Sequence, residues 1–158
     1  INPLSPFLSK DVVLSGRTGK IGLFRFPSKK DWNIVWESMA QVGMIDFAKR
    51  PVGKLSGGEL QKLLFARAIA QKPRILLLDE PLSNLDVTSR RQMETLLNRI
   101  HENDKTTIIM VSHDLHFIPS KCHRVIVMDK GTIVMDADKK TVLESKLIKQ
   151  FLKHEVVK

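Results

Sequence analysis

The chain has 158 residues, 42% of them apolar and 27% charged, with a formal net charge of +9, a mass of 18.0 kDa and a pI near 9.9. That length suits one ordinary domain, or one large piece of a bigger one, and argues against two full domains. No apolar run approaches the roughly 20 residues that span a bilayer, nothing resembles a basic-then-apolar secretory leader, and the single cysteine, Cys122, excludes a disulfide framework and suits a reducing, cytoplasmic setting.

The charge by itself names no partner. Nucleic acid, an anionic membrane surface and nucleotide phosphates would all attract it, but lysines and arginines are scattered through most segments without a long block of one sign. The opening INPLSPF, with two prolines and no periodicity, reads as an extended lead-in or a cut end, so that the chain begins within a domain. Asp11 to Leu14 is a short apolar run, followed by the turn-rich Ser15 to Ile21. That string imitates a phosphate loop and fails as one. The pattern G-x-x-x-x-G-K-[ST] wraps phosphates with backbone and offers a hydroxyl to Mg²⁺, whereas Leu14 stands at the first glycine position and Ile21 at the hydroxyl position.

Ser28 with Asp31 forms a capping-box signature, and Trp32, Val35, Trp36, Met39 and Val42 follow at helical spacing before Gly43. The tryptophan pair is expected to pack into the core. Pro51 and Gly53 mark a loop, after which Leu55-Ser56-Gly57-Gly58-Glu59-Leu60-Gln61 opens a second helix that Pro73 ends. Glycines at a helix start let a phosphate approach free N–H groups at the positive end of the helix dipole. Arg74 to Leu78 shows no alternation and reads as a parallel strand buried on both faces. It ends on two carboxylates, Asp79 and Glu80. Val87 to Asn103 has helical spacing and Thr107 to Val111 is a second buried strand ending at Ser112-His113-Asp114, so strand, helix and strand form a parallel unit of about 35 residues. Arg124 to Met128 and Thr132 to Met135 read as a hairpin across Asp129-Lys130-Gly131, adding antiparallel strands at a sheet edge, and from Lys139 a charged helix runs to the end.

Ligands of open parallel sheets sit beyond the carboxyl ends of the strands, where this chain places Asp79, Glu80 and His113. Asp79 suits Mg²⁺, and Glu80 suits the orientation of an attacking water. His113 suits the stabilisation of transferred phosphate charge. A zinc site from His113, His116, Cys122 and His123 has suitable ligand types but no closed zinc spacing, and is not expected.

Four motifs in order carry a resemblance. LSGGELQ at Leu55 to Gln61 is similar to the signature of ABC transporter ATPases, ILLLDEP at Ile75 to Pro81 to their Walker B, SNLD at Ser83 to Asp86 to their D-loop, and the SHD around His113 to their switch histidine. The chain resembles the ATP-hydrolysing subunit of an ABC transporter, and its helical part resembles importers of zinc, manganese or iron chelates. The resemblance implies a P-loop NTPase-like α/β fold, an incomplete parallel sheet flanked by helices, with a helical subdomain at about 15–72, catalytic core at about 73–137 and a terminal helix at about 138–158.

The resemblance further implies ATP and Mg²⁺ as cofactors, Asp79 as the residue supporting Mg²⁺, Glu80 as catalytic base and His113 as the γ-phosphate contact. Ser56, Gly57, Gly58, Glu59 and Gln61 would belong to the nucleotide-binding signature facing the opposite subunit, and Asp86 to the dimer seam. The implied partners are a second ATPase subunit in a head-to-tail dimer and a transmembrane subunit, through which alone the chain touches the membrane at its cytoplasmic face. Nucleic acid is disfavoured as a partner, because no coiled-coil stretch of the kind carried by chromosome-maintenance or DNA-repair relatives occurs; a non-catalytic module docking on a transporter is the other alternative. The 158 residues hold no Walker A lysine with its serine or threonine and no tyrosine at all. The expectation is a truncated chain that lacks the amino-terminal lobe and is inactive alone.

Overall fold

The computed structural model describes residues 6–22, 24–83, 85–113, 118–146 and 148. The chain divides into two compact units, residues 1–113 and 114–158.

In the first unit, helices α1 (Ser9–Ser15), α2 (Thr18–Ile21), α3 (Lys29–Gln41) and α4 (Gly57–Ala70) precede strand β1 (Ile75–Asp79), helix α5 (Val87–Asp104) and strand β2 (Thr107–Val111). The Ser28 capping box forms as expected: Ser28 Oγ accepts from the Asp31 N–H and the Asp31 carboxylate accepts from the Ser28 N–H at 3.0 Å. At the other end of α3 the Gly43 N–H donates to Ala40 O and the Met44 N–H to Met39 O. With Gly43 at φ 70°, this is the paired 5→2 and 6→1 closure that a left-handed glycine permits.

The buried face of α3 is Ile34, Val35, Ser38 and Met39, which corrects the expectation for the tryptophans. Trp32 is half-buried and Trp36 is 37% exposed. They stack on each other at 5.7 Å between centroids, with the Lys10 ammonium 5.5 Å from the Trp32 ring. Val35 and Met39 of the predicted face are buried with Ile34 beside them, whereas the two bulkier indoles lie at its margin, since helical spacing does not say which part of a wide apolar face meets a neighbour.

Helices α1, α3 and α4 pack on one another around Val13, Val35, Met39, Leu63 and Ala66, all fully buried. The Asp11–Leu14 run lies inside α1. Gly16, at the end of α1, lies close against α4: a Cβ there would sit 2.3 Å from the Arg67 carbonyl oxygen. Arg17 is buried beside it. Its Nε and Nη2 donate to Asp31 Oδ1 at 3.2 and 2.9 Å, and its Nη1 donates to Ala70 O at 3.1 Å, so one guanidinium joins the start of α3 to a carbonyl at the end of α4, where carbonyls lose their intrahelical donors.

Strands β1 and β2 pair in parallel, Ile75 opposite Thr107 through Asp79 opposite Val111. Asp86 caps the α5 crossover, accepting from the Ser89 N–H at 2.9 Å. Thr106, buried, donates its hydroxyl to Pro73 O at 3.0 Å and ties the two strand starts together. The expectation that β1 is covered on both faces is corrected. Leu76 is buried, whereas Ile75 is 59% and Leu77 71% exposed, as are Ile109 and Val111 beside them at 53% and 59%. Within the first unit α5 contacts the pair through β2 and does not cover the Ile75, Leu77, Ile109 and Val111 face, because side chains alternate along a strand and only one set meets the helix.

In the second unit, β3 (Val125–Asp129) and β4 (Thr132–Ala137) form an antiparallel hairpin in a two-stranded sheet of their own, with a register shift between Val127 and Met128. Lys130 and Gly131 turn it at φ 47° and 79°, the left-handed pair that matches strand twist in a two-residue loop. Arg124 Nη2 and Asp136 Oδ2 pair across it at 2.6 Å. Helix α6 (Lys139–Glu144) begins at the Asp138 cap. The expected continuous helix breaks at Ser145, whose backbone is extended (φ −66°, ψ 146°) and whose Oγ accepts from the Ile148 N–H at 3.2 Å. Residues 149–158 lie outside the described residues.

Candidate functional site

The parallel register sets the site. With Asp79 opposite Val111, the Glu80 N–H donates to Val111 O at 3.0 Å, so both strands end together and their next side chains meet. Glu80 Oε1 accepts from the His113 N–H at 3.0 Å and lies 2.7 Å from His113 Nδ1. A carboxylate acceptor requires the proton on Nδ1 in that bond. Both bonds fall on Oε1. The His113 side chain is 73% exposed and that of Glu80 34%, open to a ligand. Asp79 is exposed at the last position of β1 and offers the hard oxygen donor that suits Mg²⁺ completed by phosphate and water.

Glu80 adopts φ 47°. A side-chain-bearing residue in that left-handed region costs about 1–2 kcal/mol, and the turn around it supplies several bonds in return. The Glu80 carbonyl accepts from the Ser83 N–H at 3.3 Å, from Ser83 Oγ at 3.0 Å and from Gln61 Nε2 at 3.0 Å. Beyond it, Arg90 Nε donates to Leu85 O at 2.9 Å, and Lys62 Nζ donates at 2.8 Å to Ser89 Oγ, which itself donates to Asp86 Oδ2 at 2.7 Å. The segment from Glu80 to Asp86 is thus held from α4 at both ends. Asp86 is an N-cap, and the Ser89 N–H, followed by the Ser89 hydroxyl, lowers its pKa.

At the start of α4, Ser56 is the N-cap, with Gly57 and Gly58 as the first two helical residues. The Ser56 hydroxyl oxygen accepts from the Glu59 N–H at 3.3 Å, and Glu59 Oε2 accepts from the Ser56 N–H at 2.7 Å. That backbone bond leads the causes that hold the Glu59 carboxyl below its ordinary range. A Cβ on Gly57 would meet nothing within 4 Å, so the helix start is open to a ligand on that side. Glu80 and His113 therefore meet, with Asp79 adjoining Glu80 at the end of β1, Ser56 to Glu59 form the start of α4, and Asp86 caps α5. Gln61, read as a member of the signature, has its side chain turned to Glu80. No sequence signal distinguishes that direction, since it depends on where β1 lies beside α4. Asn84, Asp114 and His116 lie outside the described residues.

A parallel strand pair ending in Asp-Glu and in Ser-His, joined by a crossover helix and preceded by a helical lobe with a glycine-started helix, has the architecture of an ATP-binding cassette domain. The chain belongs to the ABC transporter family, whose model matches residues 5–83. It is 36% identical over 142 residues to the manganese transport system ATP-binding protein MntB of Listeria monocytogenes, covering 90% of this chain and 59% of that protein. It is also 38% identical over 129 residues to the chelated iron transport system membrane protein YfeB of Yersinia pestis, covering 81% of this chain and 43% of that protein. Its fold matches a metal-chelate type ABC transporter solved in an inward-facing conformation at a TM-score of 0.82, with 26% identity over 92% of this chain and 57% of that one. A dimeric ATP-binding cassette bound to ADP and Pi matches at 0.73 and 24% identity, over 87% of this chain and 58% of that one, which speaks for the fold. The chain thus spans somewhat over half the length of the first of these relatives.

Proposed function

We propose that the chain is the signature-bearing and Walker B-bearing part of an ATP-hydrolysing subunit that powers import of a metal ion or metal chelate through a membrane partner. The observation that carries the reading is the Glu80–His113 contact at the ends of paired parallel strands; the manganese and chelated-iron transport relatives support the cargo class. The helical subdomain is assigned to residues 15–72, the catalytic core to 73–137 and the terminal segment to 138–158.

In this reading Glu80 orients the attacking water and takes its proton on Oε2, while Oε1 stays bonded to His113. His113 Nε2 contacts the γ-phosphate; with Nδ1 donating to Glu80, Nε2 donates only when the ring carries both protons. Asp79 would hold Mg²⁺, which when bound neutralises charge on the phosphates. Ser56, Gly57 and Gly58, with Glu59 fixing their cap, bind the nucleotide of a second subunit at the α4 N-terminus, and Asp86 lies at the seam of the head-to-tail dimer. Phosphate loss would release that tie and let the subunits part. Among the described residues no helix is long and apolar enough to cross a membrane, so a separate transmembrane subunit is the proposed route to the membrane.

The 158 residues contain no G-x-x-x-x-G-K-[ST] loop, and that loop supplies much of the phosphate grip. Taken alone, the chain is expected to bind Mg-ATP at millimolar strength or not at all in calorimetry; micromolar affinity with turnover would refute this. For the activity itself, Glu80→Gln in the assembled transporter tests the assignment: ATP hydrolysis falls by about 100-fold or more if Glu80 is the base, and unchanged turnover removes it. Salt-dependent DNA binding would favour the chromosome-maintenance alternative instead.

A further inference from the structure

We propose that Gln61 is a positioning residue that holds Glu80 in its strained, water-orienting conformation, and that it contacts no nucleotide. The inference rests on the reading of Glu80 as the base.

Gln61 is one turn inside α4, beyond the open glycine start. Its Nε2 donates at 3.0 Å to the carbonyl of Glu80, a partly buried bond across 19 residues of sequence. The residue receiving it is the one at φ 47°. A left-handed side-chain-bearing residue persists only where its surroundings over-determine it, and here the peptide unit after Glu80 is fixed by Gln61 and Ser83 while its N–H is fixed by Val111. Rotating out of this conformation would swing the carboxylate away from both His113 donors.

The other end of the amide points to the same role. Gln61 Oε1 is buried without a hydrogen-bond partner among the described residues, which opposes folding. The opposite amide orientation would set an oxygen against the Glu80 carbonyl, so the donor must face Glu80. A glutamine kept only for packing would be improved by an apolar residue of its shape; the bond to Glu80 is what an apolar residue cannot supply. Because α4 begins at the signature cap, Gln61 also makes the position of the signature helix a determinant of where the carboxylate of its own subunit stands.

The test is Gln61→Met, with Gln61→Glu as a second variant that keeps the shape and replaces the donor by an oxygen. In the assembled transporter both are expected to lower kcat for ATP about 10- to 100-fold with KM unchanged, while the thermal midpoint of Gln61→Met stays level or rises. In the Glu80→Gln background Gln61→Met should have no further effect. In the isolated chain, amide exchange at His113 should quicken in Gln61→Met, since its acceptor is released. A raised KM with unchanged kcat would make Gln61 a nucleotide ligand, and unchanged His113 exchange would show that it does not hold Glu80; either overturns the inference. Full turnover in Glu80→Gln would instead remove the base assignment, while the exchange measurement still decides whether Gln61 holds the turn.

Discussion

His113 Nδ1 lies 2.7 Å from Glu80 Oε1, and the His113 backbone N–H donates to the same oxygen at 3.0 Å. One carboxylate oxygen therefore joins two residues 33 apart in sequence, each just beyond the end of a strand. His113→Ala removes the ring but keeps the backbone donor, so it should displace Glu80 less than it weakens phosphate stabilisation. Turnover in the assembled transporter is expected to fall about 100-fold with little change in thermal midpoint.

Arg17 is the main polar tie inside the helical lobe, its side chain 9% exposed and that of Asp31 13%. Arg17→Met leaves Asp31 without its cation and the Ala70 carbonyl without its donor. Urea denaturation should show a lower midpoint, with the drop limited because Ser28 continues to bond the partly exposed Asp31.

Acid should weaken the fold through its capping carboxylates. Ser28, by side chain and then backbone, with help from Arg17, lowers the Asp31 pKa from 3.8 to about 2, and Ser89 lowers that of Asp86. A depressed carboxylate contributes stability above its unfolded pKa and loses it as pH falls through the folded value, so the loss for Asp31 runs between about pH 4 and pH 2. Denaturation midpoints measured down that range should fall, and Asp31→Asn should flatten the fall while lowering stability at neutral pH.

Gly16 has an ordinary helical φ of −62°, so alanine there meets no backbone strain. Its Cβ would nevertheless lie 2.3 Å from Arg67 O and 3.1 Å from Val13 O. Both obstacles are backbone, and forcing α1 and α4 apart should cost about 1–3 kcal/mol, read as a lower denaturation midpoint in Gly16→Ala.

The open sheet face of Ile75, Leu77, Ile109 and Val111 is a contiguous apolar patch of the kind that drives association. The 158-residue chain is expected to self-associate with rising concentration in sedimentation experiments, and Leu77→Lys to reduce that association.

The local features were legible because each depends on residues within one turn or one hairpin. Ser28 with Asp31 specified a helix start, Lys130-Gly131 a two-residue turn, and the apolar runs ending at Asp79 and before Ser112 a parallel unit with its polar groups at one end. Within the apolar face read for α3, Val35, Met39 and Val42 are buried while Trp32 and Trp36 stand at its margin, and only packing against α1 and α4 makes that division.

Short-range sterics, hydrogen bonding and side-chain periodicity specify the caps, the strand, helix, strand order and the motifs that mark the family, all of which are local in the chain. Only the packed structure decides that Arg17 reaches both Asp31 and Ala70 and that Gln61 turns to Glu80. Those are long-range pairings: a donor finds its acceptor only once separate elements have packed, and no local pattern encodes the distance between them.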